Sequence, residues 1–191
     1  MVRMKDIVLK LLENTQNIGL SPVIYVDLDG VLVDFDKGFE NISAGVDKEN
    51  YIKLHGKNKF WKLINSYGSA WWENLEWTPD GPMLWEYLQT KNVKILTSGS
   101  IKNTGNLATI GKQKWVLNHL GTFKTIVAAS SSDKQIYSAP GNILIDDLYS
   151  NITEWNRRGG TGILHRNSGE TLVKLREIIE TSGRFYENPN L

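Results

Sequence analysis

Two carboxylates stand two residues apart in "VIYVDLDGVLVDF" (residues 23–35), Asp27 and Asp29, directly behind an apolar run and ahead of Gly30. Val23, Ile24, Tyr25 and Val26 read as a buried strand of a parallel sheet. The two-residue period of a strand sends Asp27 and Asp29 to one side and Leu28 to the other. Like charges held that close repel, so something positive must sit between them or one must take a proton. Taken alone, the stretch also reads as an Asp-rich turn before glycine. The remaining reactive residues decide between the two readings.

"ILTSGS" ends a second apolar run with Thr97 and Ser98 ahead of Gly99. Hydroxyls and main-chain N–H groups at a strand-to-loop turn suit a cluster of anionic oxygens such as phosphate. "SSDKQ" supplies Lys134, a cation of the kind that neutralises a phosphoryl group. "ILIDD" closes a further run with Asp146 and Asp147, a second acidic pair. Several carboxylates facing one another require a cation, and oxygen ligands without sulfur point to Mg2+. Each piece alone has an ordinary explanation: a loop, a solvated lysine, a helix N-cap at "DDLYSNI". Their order along one sheet edge is what is specific.

That edge follows from the alternation of elements. Strand-like runs "VKILT" (93–97), "TIVAA" (125–129), "NILID" (142–146) and "TGILH" (161–165) follow the first. Helical spacing marks "PMLWEYLQ" (82–89), "GKQKWVLNHL" (111–120), "LYSNITEWNRR" (148–158) and "ETLVKLREIIE" (170–180). Alternation of this kind predicts right-handed crossovers and a Rossmann-like α/β fold, a parallel sheet of about five strands covered on both faces. Ligands bind such sheets beyond the carboxyl ends of the strands, where Asp27, Thr97 and Asp146 fall.

Residues 36–79 break the alternation. They carry no strand-like run but short helical patterns with Phe39, Tyr51, Phe60, Trp61, Tyr67, Trp71, Trp72 and Trp77. The division expected is a core domain of residues 1–35 and 80–191, with residues 36–79 as a small helical cap over the acidic pair. Trp61 and Trp77 read as filling the cap's own core. His55, His119 and His165 show no ligand spacing.

The 191 residues suffice for one well-filled core, and the net charge of +1 argues against a surface built for polymeric nucleic acid or membrane. The chain has no cysteine, which excludes disulfides, thiol catalysis and thiolate metal sites. Residues 1–20 read as an amphipathic helix rather than a signal peptide, and "GRFYENPNL" as loosely packed surface. A cytoplasmic protein is the expectation, with a homodimer left open.

The order of these pieces resembles the haloacid dehalogenase superfamily of aspartate-based phosphatases across residues 23–165. The resemblance implies that Asp27 attacks phosphorus to form an aspartyl-phosphate, and that Asp29 protonates the leaving oxygen and then activates water. It implies Mg2+ held by the Asp27 carboxylate, the Asp29 main-chain carbonyl and Asp146, with Asp147 beside it. Thr97, Ser98 and Lys134 would grip the phosphoryl oxygens. A narrower similarity, through "VDLDGVLVDF", "WWENLEWTPDGPM", "ILTSGS", "GKQKWVLNHLG", "SSDKQ" and "ILIDD", is to the 5'(3')-deoxyribonucleotidases. It implies a small-molecule nucleotide as substrate, with Phe35, Trp71 and Trp72 stacking on the base and Lys112 as a second phosphate-side lysine. That family often has arginine two residues before the phosphate lysine; this chain has Ser132. Two alternatives accompany this reading. One is a phosphatase for a sugar phosphate or other small phosphoester. The other is a receiver-like phospho-aspartate module, which lacks the second acid of Asp-x-Asp and a cap.

Overall fold

Ile24, Tyr25 and Val26 are strand-favouring side chains, and they form β1 (Ile24–Val26) at the centre of the molecule. The computed structural model describes residues 22–121 and 125–187. Around β1 lie β2 (Val93–Ser98), β3 (Thr125–Ala128), β4 (Ile143–Asp146) and β5 (Thr161–Leu164), in the order β3-β2-β1-β4-β5. Every pairing is parallel, with Val26 opposite Ile95 on one side and Ile145 on the other. The fold is thus the α/β parallel sheet that the alternation predicts. The chain winds outward from β1 in both directions, so the carboxyl ends of β1, β2 and β4 flank the topological switch point.

Strand alternation divides the core. Ile24 and Val26 face a large cluster with Leu84, Leu88, Trp115 and Leu175, while Tyr25 faces Leu96, Leu144, Ile152 and Trp155. Leu96 and Leu144 belong to β2 and β4, and the other partners come from helices α5 (Gly81–Leu88), α7 (Leu107–Leu120), α8 (Tyr149–Arg157) and α9 (Ser168–Glu187), with the short α6 (Ile101–Thr104) between α5 and α7. Two begin or end away from the sequence expectation. α7 starts at Leu107, four residues early, and α9 starts at Ser168, where the Asn167 side chain accepts from the Glu170 N–H at 2.9 Å. α9 continues to Glu187, so the first five residues of "GRFYENPNL" continue the helix, each added residue extending it by one hydrogen bond. The expected helix in residues 1–20 lies outside the described residues. No helix among those described is long and apolar enough to cross a membrane.

Between β1 and α5 come α1 (Phe35–Ile42), α2 (Lys48–His55), α3 (Lys57–Ser66) and α4 (Gly68–Glu73). The two ends of this insertion are tied together. The Asp34 N–H donates to the Glu76 carbonyl and the Thr78 N–H to the Leu32 carbonyl, both at 2.9 Å, and Val33 bridges Trp77. Inside it, Phe39, Phe60 and Ile64 are buried. α4 lies against α7 at Gly111, where a Cβ would run into the Ser69 carbonyl and the Trp72 side chain. A helix glycine at that point lets two backbones meet, and it seats Trp72 over the sheet edge.

Candidate active site

The tip of β1 is built as a tight turn. The Leu28 carbonyl accepts from the N–H groups of Val31, Leu32 and Val33, and Gly30 takes φ +74°, a conformation that favours glycine. Gly30 answers a second need as well: a Cβ there would collide with the Asp147 carboxylate. The glycine after Asp-x-Asp therefore permits the turn and leaves room for an acid from the neighbouring strand end.

Asp27 is buried. Its Oδ1 accepts from the Leu28 N–H at 2.8 Å and its Oδ2 lies 2.6 Å from Lys134 Nζ. The Lys134 ammonium, only 2 % exposed, also donates to Asp146 Oδ2 at 2.7 Å, so it bridges the ends of β1 and β4. A 3-10 helix over Ser131–Tyr137 delivers it, and a reciprocal cap between Ser130 and Asp133 fixes that helix. Asp146 is held from its other side by the Leu148 N–H and the Asn151 amide, each at 2.9 Å. Asp29 turns elsewhere: its Oδ2 is 2.6 Å from Lys112 Nζ, while its Oδ1 is shut off from solvent with no hydrogen-bond partner among the described residues.

Charge state follows from this crowding. Burial pushes the Asp29 carboxyl above its ordinary range, and the Lys112 ammonium only partly offsets that. Burial, then the neighbouring Asp27, raises Asp146 too. Burial works against the Lys134 charge, yet Asp27 and Asp146 outweigh it and hold the ammonium above its usual range. Asp147 is pushed up to about 7 by burial, and further by Asp27 and Asp146.

Carboxylate oxygens of Asp27, Asp146 and Asp147 lie within 4.8 Å of one another. This all-oxygen donor set, with negative charge in excess of what Lys134 neutralises, fits a hard divalent cation such as Mg2+. The Asp29 side chain stands outside the group, so its expected share in the metal site would come through the main-chain carbonyl.

Above the acids opens a pocket of about 220 Å³. Asp27, Asp29, Lys134 and Asp147 line its floor, Ser98, Ser100 and Ser131 one wall, and Phe35, Trp61 and Trp72 its roof. Of the expected aromatics, Phe35 and Trp72 thus reach the pocket and Trp71 does not. Trp71 points its indole N–H to the Gly38 carbonyl at 3.2 Å, away from the acids. Trp61, expected to fill the cap core, lines the pocket in its place. Adjacent helical residues point about 100° apart, and the phase of α4 was not legible in its sequence. Thr97 and Lys112 also stand back from the pocket. Thr97 is fully buried, with its hydroxyl 3.2 Å from Lys112 Nζ, and Lys112 also donates to the Ser98 carbonyl at 2.7 Å. Trp77 packs on Trp115, as a core residue does.

No family model matches the chain, and no curated protein matches it. Among solved structures, it is similar to a haloacid dehalogenase-like family hydrolase from Streptococcus pneumoniae. That likeness has 17% identity and a TM-score of 0.47, and covers 74% of this chain and 82% of that one. A HAD-superfamily hydrolase from Ehrlichia chaffeensis is similar at 13% identity and a TM-score of 0.45, covering 85% and 98%. The HAD-hydrolase YfnB from Bacillus subtilis, a structure bound to magnesium, is similar at 13% identity and a TM-score of 0.47, covering 74% and 85%.

Proposed function

We propose that the chain is a Mg2+-dependent phosphatase that hydrolyses nucleoside monophosphates, deoxyribonucleotides among them, through an aspartyl-phosphate. One observation carries the reading: a single pocket is floored by Asp27, Asp29, Lys134 and Asp147 and roofed by Phe35, Trp61 and Trp72. Acids and a cation suit a phosphoryl group, and flat apolar rings suit a base.

The chemistry divides between the two aspartates. An Asp27 oxygen attacks phosphorus, a new O–P bond forms, and the bond to the leaving oxygen breaks. Asp29, whose burial favours the protonated form, gives its proton to that oxygen and releases the nucleoside. Asp29, now ionised, takes a proton from water as the water attacks phosphorus, and the Asp27 carboxylate leaves. Lys134 holds Asp27 in place and neutralises phosphoryl charge, while Ser98 offers its hydroxyl from the wall. Asp27, Asp146 and the Asp29 carbonyl, with Asp147 beside them, would hold Mg2+, which would supply further charge neutralisation. Phosphoryl transfer of this kind depends mainly on positioning and charge.

The insertion over residues 36–79 acts in this reading as a cap, closing the pocket from above. The test is a phosphate-release screen over ribo- and deoxyribonucleotides and sugar phosphates, with Mg2+ and with EDTA. Mg2+-dependent release from nucleotides is expected. Release from sugar phosphates alone would remove the nucleotide assignment, and full activity in EDTA would remove the metal.

A further inference from the structure

A second cavity of about 530 Å³ opens beside the candidate active site, lined by Ile52, Lys57, Asn58, Phe60 and Asn103 together with Phe35, Lys48 and Trp61. The last three also line the candidate catalytic pocket, so the two spaces share Phe35, Lys48 and Trp61 as lining. Phe35 and Trp61 are thus common to the pocket that holds Asp27 and to the second cavity.

The chemistry of the second cavity differs from that of the first. Among the described residues its titratable side chains are Lys48 and Lys57, and no carboxylate lines it. Asp36, which lines the candidate catalytic pocket, meets Lys48 Nζ with its Oδ1 at 2.7 Å as a half-exposed pair that an anion can compete for. The segment around it concentrates positive charge: residues 47–62 hold five lysines against two carboxylates in a chain of net charge +1. Lys57 and Asn58 come from the first turn of α3, which has no side-chain cap and no acidic residue. The polar side chains of the cavity therefore suit an anion, and its apolar wall of Ile52, Phe60 and Trp61 lets a ring pass.

We infer that this cavity is a second phosphate subsite, so that the preferred substrate is a nucleotide carrying two phosphates, one cleaved at Asp27 and one held by Lys48 and Lys57. This rests on the phosphatase reading above. The test compares 2'-deoxyadenosine 3',5'-bisphosphate with the 3'- and 5'-monophosphates, by kcat/KM and by calorimetric affinity.

Wild-type protein should bind the bisphosphate about tenfold more tightly than either monophosphate, the scale of one charge-assisted hydrogen bond. The ratio of kcat/KM between bisphosphate and monophosphate should fall by about the same factor in Lys57→Ala and survive in Lys57→Arg. Equal affinity for mono- and bisphosphate, or a ratio indifferent to Lys57→Ala, overturns the subsite and leaves the phosphatase intact. Tighter, Lys57-dependent binding without phosphate release supports the subsite and overturns the phosphatase instead.

Discussion

Lys112 Nζ lies 2.6 Å from Asp29 Oδ2 and 4.9 Å from the centre of the Trp72 ring, so one buried cation touches both the acid and the roof of the pocket. The sequence resemblance makes Lys112 a phosphate-side lysine. The geometry makes it a residue that aims Asp29 and restrains its proton affinity.

That placement gives a pH prediction. The Lys112 ammonium lowers an Asp29 pKa that burial raises, so its removal raises that pKa further. In Lys112→Met, the basic limb of kcat/KM, set by loss of the Asp29 proton, should move to higher pH. Activity at the optimum should fall about tenfold to a hundredfold, part of what a positioned acid supplies. An unshifted limb would show that Lys112 does not act through Asp29.

The seating of α4 on α7 gives a packing prediction. Gly111→Ala forces a methyl against the Ser69 carbonyl and Trp72 Cβ. It should cost about 1–3 kcal/mol of stability, as overpacking does, and raise KM because Trp72 is displaced. Gly169→Ala is the control, since its new methyl meets nothing nearer than Asn167 Oδ1 at 3.4 Å. Melting curves of both variants decide this.

The tryptophans separate into two roles. Trp61→Ala should raise KM for a deoxynucleoside monophosphate by roughly tenfold to a hundredfold, the value of 1–3 kcal/mol of stacking. It should barely affect a small phosphoester without a base. Trp71→Ala should instead lower the melting temperature, because Trp71 is buried against Phe35 and bonded to Gly38. Equal KM losses on both substrates in Trp61→Ala would contradict the assignment of the roof.

Much of this was legible in the sequence. Asp27 and Asp146 meet because they follow paired positions at the ends of the neighbouring parallel strands β1 and β4, and topology alone decides that. What stayed illegible depends on helical phase and long-range packing. Nothing local says that Trp61 faces the pocket and Trp71 does not, or that Lys112, fifteen residues from Thr97, reaches across to it. The glycine of α7 reads as a weak helix former until α4 is placed against it. The 3-10 turn that carries Lys134 has too short a period to stand out from a loop.

His165 makes stability sensitive to acid. It is buried, with Nδ1 2.9 Å from the Thr171 hydroxyl, and burial holds its pKa below the ordinary 6.5, with Asp80 opposing. A depressed pKa means that the folded state prefers the neutral ring. The stabilisation is therefore full above about pH 6.5 and is lost as pH falls through the lower folded-state value. The melting temperature of wild-type protein should drop faster between pH 7 and 5 than that of His165→Asn. Parallel curves would assign the acid sensitivity to other groups.

The covalent step is the centre of the account, and rapid acid quench followed by peptide mass spectrometry tests it most directly. Protein mixed with a deoxynucleoside monophosphate and Mg2+ should carry one phosphoryl group on the peptide containing Asp27, and none in Asp27→Asn. A phosphoryl group on another residue, or phosphate release by Asp27→Asn at even a tenth of the wild-type rate, would contradict it.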